Sequence, residues 1–155
     1  MIKEFNNLRD DEIELLLSAP VYVSILIAGA DDKIDNSEMK QAVEIAQSKK
    51  LRARDQLIEY YKEVSGDFEN KFVKLVDELP HGADARTEVI TKELQKLNHI
   101  LPKIDRNFAI KLHASLQEMA KKVAEASGGI LGYMSVSYEE AKLMDLKMIM
   151  DPAEY

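Results

Sequence analysis

Residues 19–30 read APVYVSILIAGA, and their reading decides the fold. Pro20 suits the first turn of a helix, where its missing N–H removes no hydrogen bond. Val21, Val23, Ile25, Leu26 and Ile27 then follow with scarcely a polar break. A helix that is apolar on every side belongs in the interior. The pattern therefore predicts a helix over about 19–28 at the centre of the molecule. The run is too short to span a bilayer, which takes about 20 apolar residues.

The segments on either side read as partners for that helix. A short helix over about 10–17 precedes it, with Ser18 and Pro20 marking the new start. Downstream, Ala42, Val43, Ile45 and Ala46 give a helix over about 37–49 one apolar face. Leu57, Ile58, Tyr61 and Val64 line a helix over about 54–64. Phe68, Phe72, Leu75, Val76 and Leu79 line another over about 67–79, and Ser65-Gly66 reads as the break between the two. Pro80-His81-Gly82 is a second break. Asp84 is placed to cap a helix through about Leu101, with Val89, Ile90, Leu94, Leu97 and Ile100 or Leu101 inward and Pro102 at its end. A helix over about 105–127 buries Phe108, Leu112, Leu116, Met119 and Val123, and Ser127-Gly128-Gly129 stops it. A last helix over about 137–150 ends at Asp151-Pro152. Scarce glycine and the lack of apolar–polar alternation argue against strands. The expectation is an all-α, single-domain bundle over residues 1–155, with about seven or eight helices in halves of about 1–79 and 80–155.

Composition excludes several function classes. The chain has no cysteine, so disulfides, thiolate metal sites and thiol nucleophiles are ruled out. Its N-terminus, MIKEFNNLRDDEIE, lacks the apolar core of a signal peptide, which points to a cytoplasmic protein without a transmembrane segment. Net charge is −7, and the acids concentrate in the first half, with 17 acids against 11 bases in residues 1–79. That balance disfavours nucleic acid, whose binding draws on phosphate neutralisation. It permits a cation or a basic partner.

The acids crowd most closely in residues 28–38, AGADDKIDNSE. Ile34-Asp35-Asn36-Ser37-Glu38 is matched 102 residues later by Val136-Ser137-Tyr138-Glu139-Glu140. In both, a capping residue is followed three positions on by a glutamate that can reach back to its N–H, which is a capping box. Each box follows an apolar helix and a glycine-bearing turn, and each opens a new helix. The recurrence predicts a pseudo-twofold repeat, with Ile34 and Val136 side by side as a small backbone bridge. The acids do not form an EF-hand. Starting at Asp31 puts Lys33 at position 3 and Ala42 at position 12, and starting at Asp32 puts Ile34 and Val43 there. Two readings stay open. Asp31, Asp32, Asp35 and Glu38 are helix caps and surface charge, or they are oxygen ligands for a divalent cation, calcium or magnesium.

The sequence A-D-D-K-I-D-N-S-E after a buried helix and before an amphipathic one resembles the TerB-like family of tellurite-resistance and stress-associated proteins. Asp31 matches the aspartate of that family's motif, Ile34 its apolar position and Glu38 its glutamate, while Asp32 stands where the family usually has glycine. The motif covers about ten residues, and the helical layout is compatible over most of the chain. The resemblance implies an all-helical fold with a pseudo-twofold arrangement. It also implies a non-enzymatic role in stress or membrane-associated protein complexes, linked to a cation.

Other constellations point less far. His81, His99 and His113 form no metal-binding pair, and no HExxH occurs. Ser127–Gly132 is glycine-rich but lacks the P-loop lysine. Ile130 and Leu131 within it, with Tyr133 and Met134 just after, either fold onto the core or form an apolar patch for a protein partner. Lys49, Lys50, Arg52 and Arg54 read as a basic helix C-terminus, with contact to a phosphate or an acidic partner as the sharper alternative. Tyr60-Tyr61 reads as one buried and one exposed tyrosine, and the methionines at 144, 148 and 150 as packing of the last helix. The leading functional expectation is a TerB-like regulatory module working through protein contacts. The alternative is a metal-independent adaptor domain using the 130–134 turn. A metal-assisted hydrolase would need a second ligand cluster facing the acidic loop.

Overall fold

The apolar stretch is the middle of the molecule, as its composition requires. The computed structural model describes residues 2–29, 36–52, 55–127 and 143–154. Among them there is no strand. The helices are α1 (Asp10–Ala28), α2 (Asn36–Arg52), α3 (Asp55–Glu78), α4 (Ala83–Gln95), the single-turn α5 (Leu97–Ile100) and α6 (Arg106–Ser127). A 3-10 turn at Lys3–Phe5 precedes them and another at Pro152–Glu154 follows. Helix α1 packs on α3, α6 and α4, and α2 packs on α3 and α6. One core runs from Ile2 to Ile149 and draws side chains from every helix. No helix among the described residues is long and apolar enough to cross a membrane.

Two predicted breaks are absent. Pro20 lies inside α1, which runs unbroken from Asp10 to Ala28. In an unbroken helix the N–H of residue 20 would bind the Leu16 carbonyl, and proline has none to give. Tyr60 supplies the missing donor, its hydroxyl reaching the Leu16 carbonyl at 2.6 Å. Further along, the Ser24 hydroxyl donates to the Pro20 carbonyl at 2.8 Å. Ser65-Gly66 likewise fails to divide α3. Leu57, Tyr60, Tyr61, Val64, Phe68 and Phe72 are all buried and recur at helical spacing. The apolar stripe thus continues in phase through the glycine, and packing outweighs its cost of about 1 kcal/mol.

Helix ends differ in detail. Gly82 rather than Asp84 is the N-cap of α4, and Asp84 sits in the first turn. The helix expected to continue to Leu101 stops at Gln95 and resumes as α5, and Pro102 lies in a 3-10 turn, Leu101–Lys103. Asp105 caps α6 by accepting the Phe108 N–H at 2.9 Å. The last helix predicted over about 137–150 ends by residue 143, its part over 137–142 lying outside the described residues, and residues 144–150 form turns. They cross α6 as a strap, held where Gln117 donates to the Asp145 carbonyl at 2.9 Å. Asn98 secures the same strap through the Met148 carbonyl and the Met150 N–H. Two predicted pairs of helices have therefore fused, so the described residues hold five long helices and one short one. The Ile34–Val136 pairing and the second capping box lie outside the described residues.

Candidate functional site

The carboxylates Asp31, Asp32 and Asp35 lie outside the described residues, as do Ile130, Leu131, Tyr133 and Met134. What is described is the root of the acidic stretch. Helix α1 ends with Ala28 and Gly29 buried. The Gly29 carbonyl accepts a hydrogen bond from the Arg86 guanidinium at 2.6 Å. Arg86 is 5 % exposed and also donates to the His81 carbonyl at 3.1 Å. A cation at a helix C-terminus is well placed for the dipole, and here it ties α1 to the turn before α4. On the far side of the stretch, Glu38 is half-buried in α2. Among the described residues no three metal-ligating side chains gather.

Arg86 was missed by sequence reasoning, although a signal existed. It lies four residues before Ile90 and eight before Leu94, on the buried stripe of α4. Val89, expected inward, is 36 % exposed. The same oversight applies to Lys49. It follows Ala42 and Ala46 on the apolar stripe of α2 and is 7 % exposed, so it is no member of a surface basic cluster. Nor is either tyrosine of Tyr60-Tyr61 exposed.

Lys49 floors a cavity of about 370 Å3 between α2, α3 and α6. Its ammonium donates to the Ser115 hydroxyl and to Glu118, each at 3.1 Å, and lies 5.6 Å above the Tyr61 ring centre. Ser115 also shares a 2.5 Å hydrogen bond with the Tyr61 hydroxyl. Glu118 bridges to Lys122 at 3.0 Å. Burial lowers the Lys49 pKa, against the opposing pull of Glu118. Bonds from Lys122 and then Lys49 hold the Glu118 carboxyl below its ordinary value. Burial raises the Tyr61 pKa strongly, so its hydroxyl stays protonated at neutral pH. A serine beside a buried lysine has the parts of a nucleophile and its base. Here a carboxylate beside the lysine favours the ammonium, which suits binding an anion better than taking a proton.

A larger groove of about 770 Å3 lies between α1, α3, α4 and α5. Two of its ion pairs join different elements, Lys71 with Glu14 at 3.1 Å and Lys103 with Glu12 at 2.8 Å, and Lys96 pairs locally with Glu93 at 3.0 Å. Tyr22 is half-buried at its wall, and burial, with Glu93, Glu78 and Glu14 nearby, raises its pKa. It can donate a hydrogen bond but cannot serve as a base near neutrality. His99 also lines this groove and is exposed, as is His81 in its turn. His113 is 6 % exposed on α6, with Nδ1 3.8 Å from Asp151. No family model, no curated protein and no solved structure matches this chain.

Proposed function

We propose that the chain is a TerB-like helical module that acts through contact with a protein partner, with calcium or magnesium held at Asp31, Asp32, Asp35 and Glu38. The observation that carries this reading is the brace at the root of the acidic stretch. Gly29, two residues before Asp31, is tied by its carbonyl to the buried Arg86. The stretch therefore starts from a helix end tied to α4, and it leads into α2, which holds Glu38. Its four carboxylates fall within eight residues and offer the oxygen donors that hard cations take. In this reading the cation sets the shape of the loop and the partner recognises that shape. The apolar turn of Ile130, Leu131, Tyr133 and Met134 supplies the rest of the contact. The pseudo-twofold pairing of Ile34 with Val136 belongs to the same proposal, since it would bring the two loops together. The setting is a cytoplasmic stress complex, or one at a membrane surface, and no catalytic step is assigned.

The test is calorimetric titration of metal-free protein with calcium and with magnesium, repeated on the variant Asp31→Asn, Asp35→Asn. Wild type is expected to bind one of them and the variant neither. If neither protein takes up a cation, the acids are caps and surface charge. The adaptor reading based on the 130–134 turn then replaces this one.

A further inference from the structure

The Lys49 cavity is unlike the rest of the molecule. The chain carries a net charge of −7, yet the described walls of this cavity hold Lys49, Lys111 and Lys122 against the single carboxylate of Glu118. A buried lysine is costly to desolvate and persists where an anion answers it. The anion that answers Lys49 is poorly built for permanence, because the Glu118 side chain is 56 % exposed and divided between two lysines. The buried neighbours of Lys49, by contrast, are preorganised. Ser115 is 9 % exposed and locked between Lys49 and Tyr61. The apolar part of the lining is formed by Leu57, Ile110 and Ala114. The volume is at the small end of the range for small-molecule sites, about 300–1,000 Å3.

We infer that this cavity binds a small organic oxyanion, with its head on Lys49 and Ser115 and a short apolar body against Leu57, Ile110 and Ala114. Glu118 stands where the ligand's head would sit. It acts as an internal placeholder that swings out to solvent when the ligand enters, leaving Lys122 and Lys111 to flank the anion. The head is a carboxylate or a phosphate, since either accepts charge-assisted bonds from ammonium groups.

Calorimetric titration at low salt with acetate, hexanoate, inorganic phosphate and butyl phosphate tests the inference on wild type, Lys49→Met and Glu118→Gln. Hexanoate or butyl phosphate is expected to bind, and more tightly than acetate or inorganic phosphate. Which of the two binds identifies the head group. Lys49→Met is expected to lose binding by about tenfold or more, the scale of one charge-assisted bond. Glu118→Gln is expected to tighten it by a similar factor, because the internal competitor is gone. A purely structural Lys49–Glu118 pair predicts no such gain. If Lys49→Met does not fold, Glu118→Gln alone decides. The inference is overturned if none of the four anions binds wild type or Glu118→Gln at about 10 mM, a concentration at which even weak sites fill. It is equally overturned if Glu118→Gln leaves the affinity unchanged.

Discussion

The Leu16 carbonyl shows how one residue's defect is another's role. Pro20 withholds the N–H that this carbonyl would receive, and Tyr60 delivers a hydroxyl to it from 44 positions away. Both residues are buried, so no water can substitute freely. Tyr60→Phe is expected to lower stability by about 1–3 kcal/mol, the cost of a buried acceptor left unpaired. In a Pro20→Ala background the same change should cost less, because alanine at this position has an N–H of its own to donate to Leu16. Urea unfolding of the four proteins in this cycle measures the difference. Equal costs in both backgrounds would show that the Tyr60 bond does not compensate for the proline. The sequence contained a trace of these buried polar roles. Arg86, Lys49 and Tyr60 all occupy helical spacings otherwise filled by apolar residues. What it could not show was the partner, since Gly29, Ser115 and Leu16 lie tens of residues away.

At the scale of the element, periodicity was a better guide than punctuation. The stripe expected on α6 is buried at every position named, Phe108, Leu112, Leu116, Met119 and Val123, and the structure adds Asp105 as its cap. Its phase and its cap agree, and nothing from elsewhere competes. The breaks expected at Ser18-Pro20 and Ser65-Gly66 rested on residue type alone, and tertiary packing overrode them. Gly66 is exposed within α3, and a Cβ built there meets nothing within 4 Å. Gly66→Ala is therefore expected to stabilise the protein by about 0.5–1 kcal/mol, from helix propensity alone. A raised thermal midpoint supports a continuous α3, and a lowered one would mean that the glycine is needed where it stands. The one-residue interruption at Lys96 was not legible, because no proline or glycine marks it.

Groups of opposite kind make the molecule as a whole sensitive to acid. Lys103, then the Arg9 N–H, keep the Glu12 carboxyl below its ordinary value, and lysines do the same for Glu118. Depressed carboxyl values give stability that is present above the unfolded pKa and lost as pH falls through the folded one. Burial lowers the His113 pKa beneath 6.5, and Asp151 only partly opposes this. The unfolded chain then takes up a proton first, so acid destabilises here as well, beginning below about 6.5. Thermal midpoints are expected to fall from pH 7 to pH 4, first through the histidine and then through the carboxyls. His113→Leu should flatten the upper part of that fall and leave the lower part. An unchanged upper slope would exclude His113 as its source. The core from Ile2 to Ile149, the central helix and the all-helical class follow from the apolar pattern. The acidic stretch that motivates the functional reading is local chemistry, and its meaning depends on what it binds.

The most direct measurement of that is amide hydrogen exchange across residues 30–38, in metal-free protein and with calcium or magnesium added. One cation is expected to slow exchange in this segment, and Asp31→Asn with Asp35→Asn is expected to abolish the slowing. Exchange that is the same with and without either cation would contradict a cation-shaped loop.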